Sequence, residues 1–293
     1  MALASHPVIY REFRPRDELA DIVVCTWQRV VPRTGAPPLG RVLPDGCVDL
    51  VWRAGALFVA GPDRVPVISP LAAGSIIVGL RLRPGTAGAI LGLPARELRE
   101  ARVALEDVWG KRGASLTEQV ALAGPPAVRR RMLEDAVQAR RAEMSALDPL
   151  VLAATRQLGL PRSRVGSLSR ALGTSERQLL RRFDASVGYG PKTLDRVLRF
   201  QRFLSRAARP TSAEAQLARI AADLGYADQA HLTRECLRLS GLTPTRLAAS
   251  HGPQSDIGER ELRHALGDGE GGEVGARAGA DRDDRGVGDQ EAV

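Results

Sequence analysis

The sequence predicts an α+β protein. We expect a small β-rich N-terminal domain of cupin-like or half-barrel type, a helical connector, and an all-α C-terminal domain with two helix-turn-helix units. Three observations predict it: short apolar runs broken by Gly and Pro up to residue 83, helical periodicity after residue 84, and an internal repeat between residues 168 and 247. The expected segments are 1–112, 113–147 and 148–251, followed by a Gly-rich acidic tail at 252–293 that we expect to be disordered.

Four runs near the N-terminus favour strands. Ile22–Trp27 is rich in β-branched residues, and Val48–Trp52 follows the turn-forming residues 44–46. Leu57–Ala60 ends at a Gly-Pro pair, and Ile76–Leu82 is the longest run of strand-forming residues. These short segments indicate an antiparallel sheet or partial barrel.

Helical patterns follow Pro84. Thr86–Leu91 and Ala95–Arg102 predict short helices, while Ser115–Leu122 and Val128–Met144 predict longer ones. The last of these carries an apolar stripe. That stripe packs on its own domain or pairs with a second copy of the chain, and the sequence leaves the choice open.

An internal repeat occupies the next part of the chain, with Leu168–Leu194 similar to Ile220–Leu247. The matched positions are Leu172-Gly173 with Leu224-Gly225, Leu179 with Leu232, Arg181 with Arg234, Gly188 with Gly241, and Pro191 with Pro244. Two copies are too few for a solenoid, which needs three or more to form a continuous core.

Each copy has the pattern of a helix-turn-helix. A short apolar helix ends at Gly173 or Gly225, where a positive φ costs a glycine little. Ser175, with Gln178 three residues later, predicts a capping box at the start of the second helix, and Asp228 takes the same place in the second copy.

Spacing within these second helices predicts two faces. Leu179 and Phe183 are four residues apart and should pack inward, as should Leu232 and Cys236 in the second copy. Arg177 and Arg181 share another face, which Ala230 and Arg234 repeat. Gln229, Thr233 and Arg234 could offer donors to base edges.

The segment from Pro191 to about Ala207 predicts a helix that joins the two copies, with Pro191 at its first position. At about 1.5 Å per residue it would span roughly 25 Å. A rigid spacer of that order suits two recognition helices in successive major grooves, about 34 Å apart.

The block from about Leu150 to Ala249 resembles the DNA-binding domain of AraC/XylS-type transcription regulators. The likeness lies in Leu172–Phe183 and Gly188–Pro191, and in Ile220–Tyr226 and Thr233–Pro244 of the second copy. It implies sequence-specific binding of double-stranded promoter DNA. By motif position it implies contacts to bases or backbone from nine residues: Arg177, Leu180, Arg181, Arg182, Gln229, Ala230, His231, Thr233 and Arg234. The sequence departs from the family where Cys236 and Leu247 replace aromatic residues, and the loop around Ala208–Ala215 is longer than usual.

The N-terminal part, residues 8 to 112, is similar to a sensor domain found on a subgroup of AraC-like regulators. The segments that carry this likeness are Arg41–Leu50, Val59–Pro62, Gly79–Gly85 and Leu105–Gly110. The likeness implies a β-rich regulatory role and names no ligand. A small-molecule effector, RNA polymerase and a second copy of the chain remain open as partners.

The charge is unevenly distributed along the chain. The 293 residues include 42 Lys and Arg against 34 Asp and Glu, a net charge of +8. Residues 1–144 carry a net +5, residues 145–251 a net +9, and residues 252–293 a net −6. The basic segment coincides with the repeat, which favours a polyanionic partner such as nucleic acid.

Several polar residues of the N-terminal part have two interpretations. Asp45, Cys47 and Asp49 alternate with apolar residues, so they form either a ligand or redox site or, as we favour, a turn aspartate, a core thiol and a strand-edge acid. Arg81 and Arg83 bind an anion or, as we favour, form a solvated face. We expect Cys25 and Cys47 to be buried, inert thiols. His231 faces DNA or belongs to a capping turn.

Enzyme classes find no support in the sequence. It contains no GxSxG, HExxH, Walker A or Cys/His metal pattern, so we predict no catalytic activity, cofactor or metal. Three cysteines without a CxxC pair, with no visible signal peptide or membrane segment, favour a cytoplasmic location. The alternative function is that of a non-specific architectural DNA-binding protein.

Overall fold

The computed structural model describes residues 8–34, 39–160, 165–207 and 214–250. The expected tail at 252–293 lies outside the described residues, as does most of the loop around 208–215.

The described strands form a six-stranded antiparallel sheet in the order β1-β2-β7-β4-β5-β8 and a two-stranded antiparallel ribbon, β3-β6. Their bounds are β1 Ile9–Phe13, β2 Val23–Val30, β3 Leu39–Val42, β4 Val48–Arg53, β5 Ala56–Ala60, β6 Val67–Pro70, β7 Ile76–Leu82 and β8 Arg102–Ala104. All four predicted strands are confirmed as β2, β4, β5 and β7. The α+β class is confirmed as well.

The described α-helices lie after the seventh strand. Their bounds are α1 Ala87–Leu91, α2 Leu105–Trp109, α3 Lys111–Leu122, α4 Pro126–Glu143, α5 Pro149–Gly159, α6 Val165–Ala171, α7 Glu176–Ser186, α8 Pro191–Ala207, α9 Glu214–Asp223, α10 Gln229–Ser240 and α11 Pro244–Ser250. Pro191 begins α8, as predicted.

The short helix predicted for Ala95–Arg102 is wrong in its second half. Ala95–Leu98 forms a single 3₁₀ turn, and Arg102 begins β8. Glu100 has a φ of +56°, a left-handed conformation that no α-helix contains. The chain therefore leaves the helical path and pairs with β5 at the edge of the sheet.

The sheet has two buried faces, because side chains of a strand alternate between its sides. In β4, Leu50 and Trp52 belong to the core that faces the helices, where Leu133 and Val137 of α4 are also buried. Val51 belongs to a second core on the opposite face, beside the β3–β6 ribbon. The apolar stripe of α4 thus packs within its own chain.

Helix α8 divides its apolar surface between two further cores. Leu194 and Leu198 pack with α5, α6 and α7, while Phe200 and Phe203 pack with α9, α10 and α11. One 17-residue helix therefore belongs to both helix-turn-helix units. Among the described residues, no helix is long and apolar enough to cross a membrane.

Candidate nucleic-acid interface

The first helix-turn-helix unit consists of α6, a turn and α7. Gly173 turns the chain with a φ of +62°, which a side chain would disfavour. Ser175 caps α7: its Oγ accepts the Gln178 N–H at 3.2 Å, and its own N–H donates to Gln178 Oε1 at 3.3 Å. The predicted capping box is confirmed and fixes the start of the helix.

The second unit repeats this geometry with different residues. Gly225 ends the first helix with a φ of +77°. Asp228 caps α10, because its Oδ1 accepts the His231 N–H at 2.6 Å. Both second helices therefore begin at a side-chain cap directly after a glycine turn, as the repeat predicts.

The inward faces of α7 and α10 are the predicted ones. Leu179 and Phe183 are buried in the first unit, and Leu232 and Cys236 in the second. Burial raises the pKa of the Cys236 thiol to about 12, so this residue packs as a small neutral side chain where the AraC-type pattern has an aromatic residue.

The outward faces carry most of the sequence-predicted contact residues. On α7, Arg177 and Arg181 are exposed, and so is Leu180, with 54% of its surface accessible. On α10, Ala230 and Arg234 are exposed. Each unit therefore presents arginine to solvent from its second helix.

The remaining predicted contact residues have partners within the protein. Arg182 donates to Asp148 Oδ2 at 2.8 Å, which ties α7 to the start of α5. Thr233 Oγ donates to the Gln229 carbonyl at 2.9 Å. His231 accepts the Ala227 N–H at Nδ1 and packs edge-on against Tyr226, so it takes part in the capping turn.

Two arginines that the sequence does not single out hold the far ends of the second helices. Arg99 donates to Asp184 at 2.6 Å and to the Gly188 carbonyl at 2.5 Å, at the end of α7. Arg41 donates to the Ser240 carbonyl, at the end of α10. The contacts join residues 85 to 199 positions apart, so no local pattern could have revealed them.

The spacer helix also contacts the N-terminal part. The side-chain amide of Gln201 in α8 donates to the Pro44 carbonyl at 2.6 Å, in the turn before β4. Gly46 of the same turn approaches Leu194 so closely that an added Cβ would lie 2.9 Å from its Cδ1.

The favoured interpretation of Asp45, Cys47 and Asp49 holds for the first two. Asp45 accepts the Cys47 N–H in the turn, and the Cys47 thiol is buried, as is that of Cys25. The strand-edge interpretation of Asp49 is wrong, because β4 lies inside the sheet and Asp49 pairs there with Arg81. Asp45, Cys47, Asp49 and Arg81 line one cavity.

The solvated face expected for Arg81 and Arg83 is also wrong. Arg81 is 8% exposed and lies within 3.4 Å of three carboxylates, those of Glu12, Asp45 and Asp49. Arg83 is half-buried and donates to the Ala20 carbonyl at 2.8 Å, and desolvation lowers its pKa. Pairing of β7 with β2 and β4 on either side removes the Arg81 side chain from solvent.

Comparison with known proteins divides the chain into two matched regions. Residues 11–104 match a domain of unknown function, DUF6597, and residues 168–250 match a helix-turn-helix domain. The fold is also similar to the crystal structure of ToxT from Vibrio cholerae O395, with 11% identity over 84% of this chain and 98% of that chain. The TM-score of 0.36 is too low for this likeness to carry an argument. No curated protein matches the chain.

The matched helix-turn-helix region covers the elements built above. It runs from the middle of α6 to the end of α11, so it includes both units and the helix that they share. Residues 168–250 are therefore a helix-turn-helix domain with two units that share one helix.

Proposed function

We propose that this protein is a DNA-binding transcription regulator of the AraC type, and that it binds DNA sequence-specifically by placing α7 and α10 in adjacent major grooves. The observation that carries the proposal is the equivalent placement of Arg181 and Arg234, which are both exposed on the second helix of their units. Arginine reads guanine through a bidentate pattern that no other base pair offers in the major groove.

The proposed contact set is the one implied by motif position. Exposed Arg177, Leu180 and Arg181 suit base or backbone contact from the first unit, and Ala230 and Arg234 do so from the second. The other proposed contacts are Arg182, Gln229, His231 and Thr233. Of these, Arg182, His231 and Thr233 also hold internal hydrogen bonds, which suits a role in fixing helix position at the phosphates.

The spacing of the two units supports adjacent grooves. Helix α8 has 17 residues, so it is roughly 25 Å long at about 1.5 Å per residue. It is buried against both units, and Arg196 on it forms a bidentate pair with Glu235 of α10 at 2.8 and 2.9 Å. A spacer held in this way favours one fixed arrangement of the two recognition helices.

Modulation by the N-terminal domain is the second part of the proposal. Contacts from Arg99 and Arg41 reach the ends of α7 and α10, and Pro44 contacts α8. These three contacts connect the N-terminal domain to both recognition helices and to their spacer. We propose the organisation as a regulatory domain at 1–112, a connector at 113–147 and the DNA-binding domain at 148–251.

Selection of bound duplexes from a random DNA pool tests this function. We expect a preferred site with two half-sites one helical turn apart, about 10–10.5 base pairs between centres. The alternative, a non-specific architectural protein, would enrich no sequence and would bind with a steep salt dependence. Enrichment of nothing above background would therefore contradict the proposal.

We also propose RNA polymerase as a partner, because a regulator bound at a promoter lies beside the polymerase. We expect a cytoplasmic location, because promoter DNA lies in that compartment. A second copy of the chain would have to use a surface other than the buried stripe of α4, which already packs on the sheet.

A further inference from the structure

The N-terminal domain contains a cavity that no comparison assigns. It has a volume of about 220 Å³ and lies between the sheet, the β3–β6 ribbon and α8. Its walls come from all three parts, including Trp27 of β2, Val67 of β6 and Leu204 of α8. This volume lies below the usual range of drug-sized sites, about 300–1,000 Å³, so the ligand would be small.

Negative charge exceeds positive charge at the inner wall of the cavity. Asp45 and Asp49 both face it, and together with Glu12 they surround the single guanidinium of Arg81. Desolvation raises the pKa of Asp49 to about 6, with the neighbouring Asp45 adding to the rise and Arg81 opposing it. A nearby positive charge stabilises the ionised form of such a desolvated carboxylate.

The other charged groups of the lining already have partners in the protein. Arg102 of β8 forms a bidentate pair with Asp63 at 2.7 and 3.1 Å. Arg53 of β4 donates to the Pro70 carbonyl, and Arg41 of β3 to the Ser240 carbonyl. Arg29 of β2 lies over the Tyr10 ring, 5.5 Å from its centroid. Arg102 and Asp63 therefore neutralise each other, whereas Arg29, Arg41 and Arg53 keep their positive charge. Arg29 pairs with Ile77 and Asp49 with Arg81, so the strand register separates Arg29 from the negative charge at Asp45 and Asp49.

The rest of the wall is apolar and aromatic. Trp27 and Tyr10 pack with their ring centroids 5.8 Å apart, and Phe58, Leu71 and Ile77 continue this surface. The indole of Trp27 is fixed by its hydrogen bond to Asp49 at 3.1 Å. Aromatic faces next to a carboxylate attract organic cations.

We propose that this cavity binds a small organic cation, a protonated amine on an apolar or aromatic body, with the ammonium group at Asp45 and Asp49. Gln201 and Leu204 of α8 form part of the same wall, so an occupant touches the helix that spaces the two DNA-binding units. The effect on DNA rests on the proposed function, while binding of the amine does not.

Calorimetry on the full chain without DNA tests the binding. The probes are phenethylamine, 2-phenylethanol and phenylacetate, which share a body and differ in charge. We expect the amine to bind at least about tenfold more tightly than the other two, a difference of about 1.4 kcal/mol. Equal binding of the alcohol, tighter binding of the carboxylate, or no binding of the amine at millimolar concentration would overturn the proposal.

Two further measurements locate the site. Asp49→Asn should weaken phenethylamine about tenfold or more, while Asp135→Asn, the same change at a surface carboxylate that pairs with Arg16, should leave it unchanged. Wild-type affinity should fall between pH 7.5 and pH 5, as Asp49 takes up a proton, and the variant should lose that dependence. If Asp49→Asn does not fold, the pH series and the three probes, both measured on the wild-type protein, still test the proposed amine site.

Anisotropy of a labelled selected duplex, with and without phenethylamine, completes the test. A shift in DNA affinity supports coupling through α8. Amine binding without any shift would overturn the coupling, whereas failure of all sequence preference would overturn the proposed function and leave the amine site standing.

Discussion

Gly79 shows at the scale of one residue how the cavity is built. The Trp27 indole lies across it, so an added Cβ would be 2.2 Å from Trp27 Cε2. Trp27 also donates its indole N–H to Asp49. A glycine in the middle of the longest predicted strand is therefore required by close packing rather than by backbone conformation.

Gly79→Ala should destabilise the protein. The methyl group must displace Trp27 and its hydrogen bond to Asp49, and overpacking of this kind costs about 1–3 kcal/mol. Urea unfolding measures the loss. Gly124→Ala is the matched control, since no atom lies within 4 Å of its added Cβ, and we expect a change within about 0.5 kcal/mol. Equal effects of the two substitutions would contradict this packing.

Asp49 gives a pH dependence with a defined sign. Its folded-state pKa of about 6 lies above the ordinary value of 3.8, so the folded state holds the proton more tightly than the unfolded state. The contribution of Asp49 is therefore most favourable below pH 4 and is lost as the pH rises to about 6, by up to about 3 kcal/mol.

The measurement is the free energy of unfolding of wild type minus that of Asp49→Asn, between pH 4 and pH 7. We expect this difference to fall as the pH rises, because only wild type contains the titrating group. A difference that rises or stays flat would show that Asp49 is not held in a desolvating site.

The pairing of Asp49 with Arg81 lay beyond sequence reasoning, although both residues drew attention. They are 32 positions apart and meet because β4 and β7 pair with Asp49 opposite Arg81. Strand register is a non-local property, so the same residues appeared as an edge acid and a solvated arginine. The alternation of Asp45, Cys47 and Asp49 with apolar neighbours did predict that these three residues face the same side, where they line one cavity.

Among the secondary-structure elements, α7 and α10 begin at side-chain caps that the local sequence specifies. Ser175→Ala should cost about 1 kcal/mol, because the Gln178 N–H loses its acceptor at the exposed start of α7. Asp228→Ala should cost a similar amount at α10. Chemical denaturation checks both values against Ser115→Ala, an exposed serine inside α3 that caps nothing. Cap variants no more destabilising than that control would contradict the capping role.

The secondary-structure elements also separate what sequence could predict from what it could not. Helices α7, α8 and α10 were predictable because glycine turns, caps and 3.6-residue periodicity are local. Strands β1, β3 and β6 were not. Ile9–Phe13 has two adjacent charged residues in place of an alternating pattern, and Leu39–Val42 and Val67–Pro70 are four-residue strands that pair with each other. Short strands depend on partners that a single sequence does not reveal.

In the whole molecule, polar contacts join the N-terminal domain to the DNA-binding domain, and those of Arg99 reach the end of α7. Arg99→Gln removes the bonds to Asp184 and Gly188, so amide hydrogen exchange at residues 184–190 should accelerate, by about tenfold for a loss of 1.4 kcal/mol. Arg96→Gln is the control, because Arg96 lies 4.0 Å from Asp184 and is half exposed. Similar exchange rates in both variants would contradict a stabilising role of the Arg99 contacts with Asp184 and Gly188.

We propose that α7 and α10 each read one half-site. The most direct measurement is the affinity of Arg181→Ala and Arg234→Ala, at fixed salt, for the selected duplex and for duplexes with one half-site altered. Arg112→Ala, an exposed arginine that pairs with Glu143, serves as the charge-matched control. We expect each recognition-helix variant to lose about 1–3 kcal/mol and to become indifferent to base changes in one half-site only, a different half for each variant. Losses no larger than that of the control, or the same half affected by both variants, would contradict the claim.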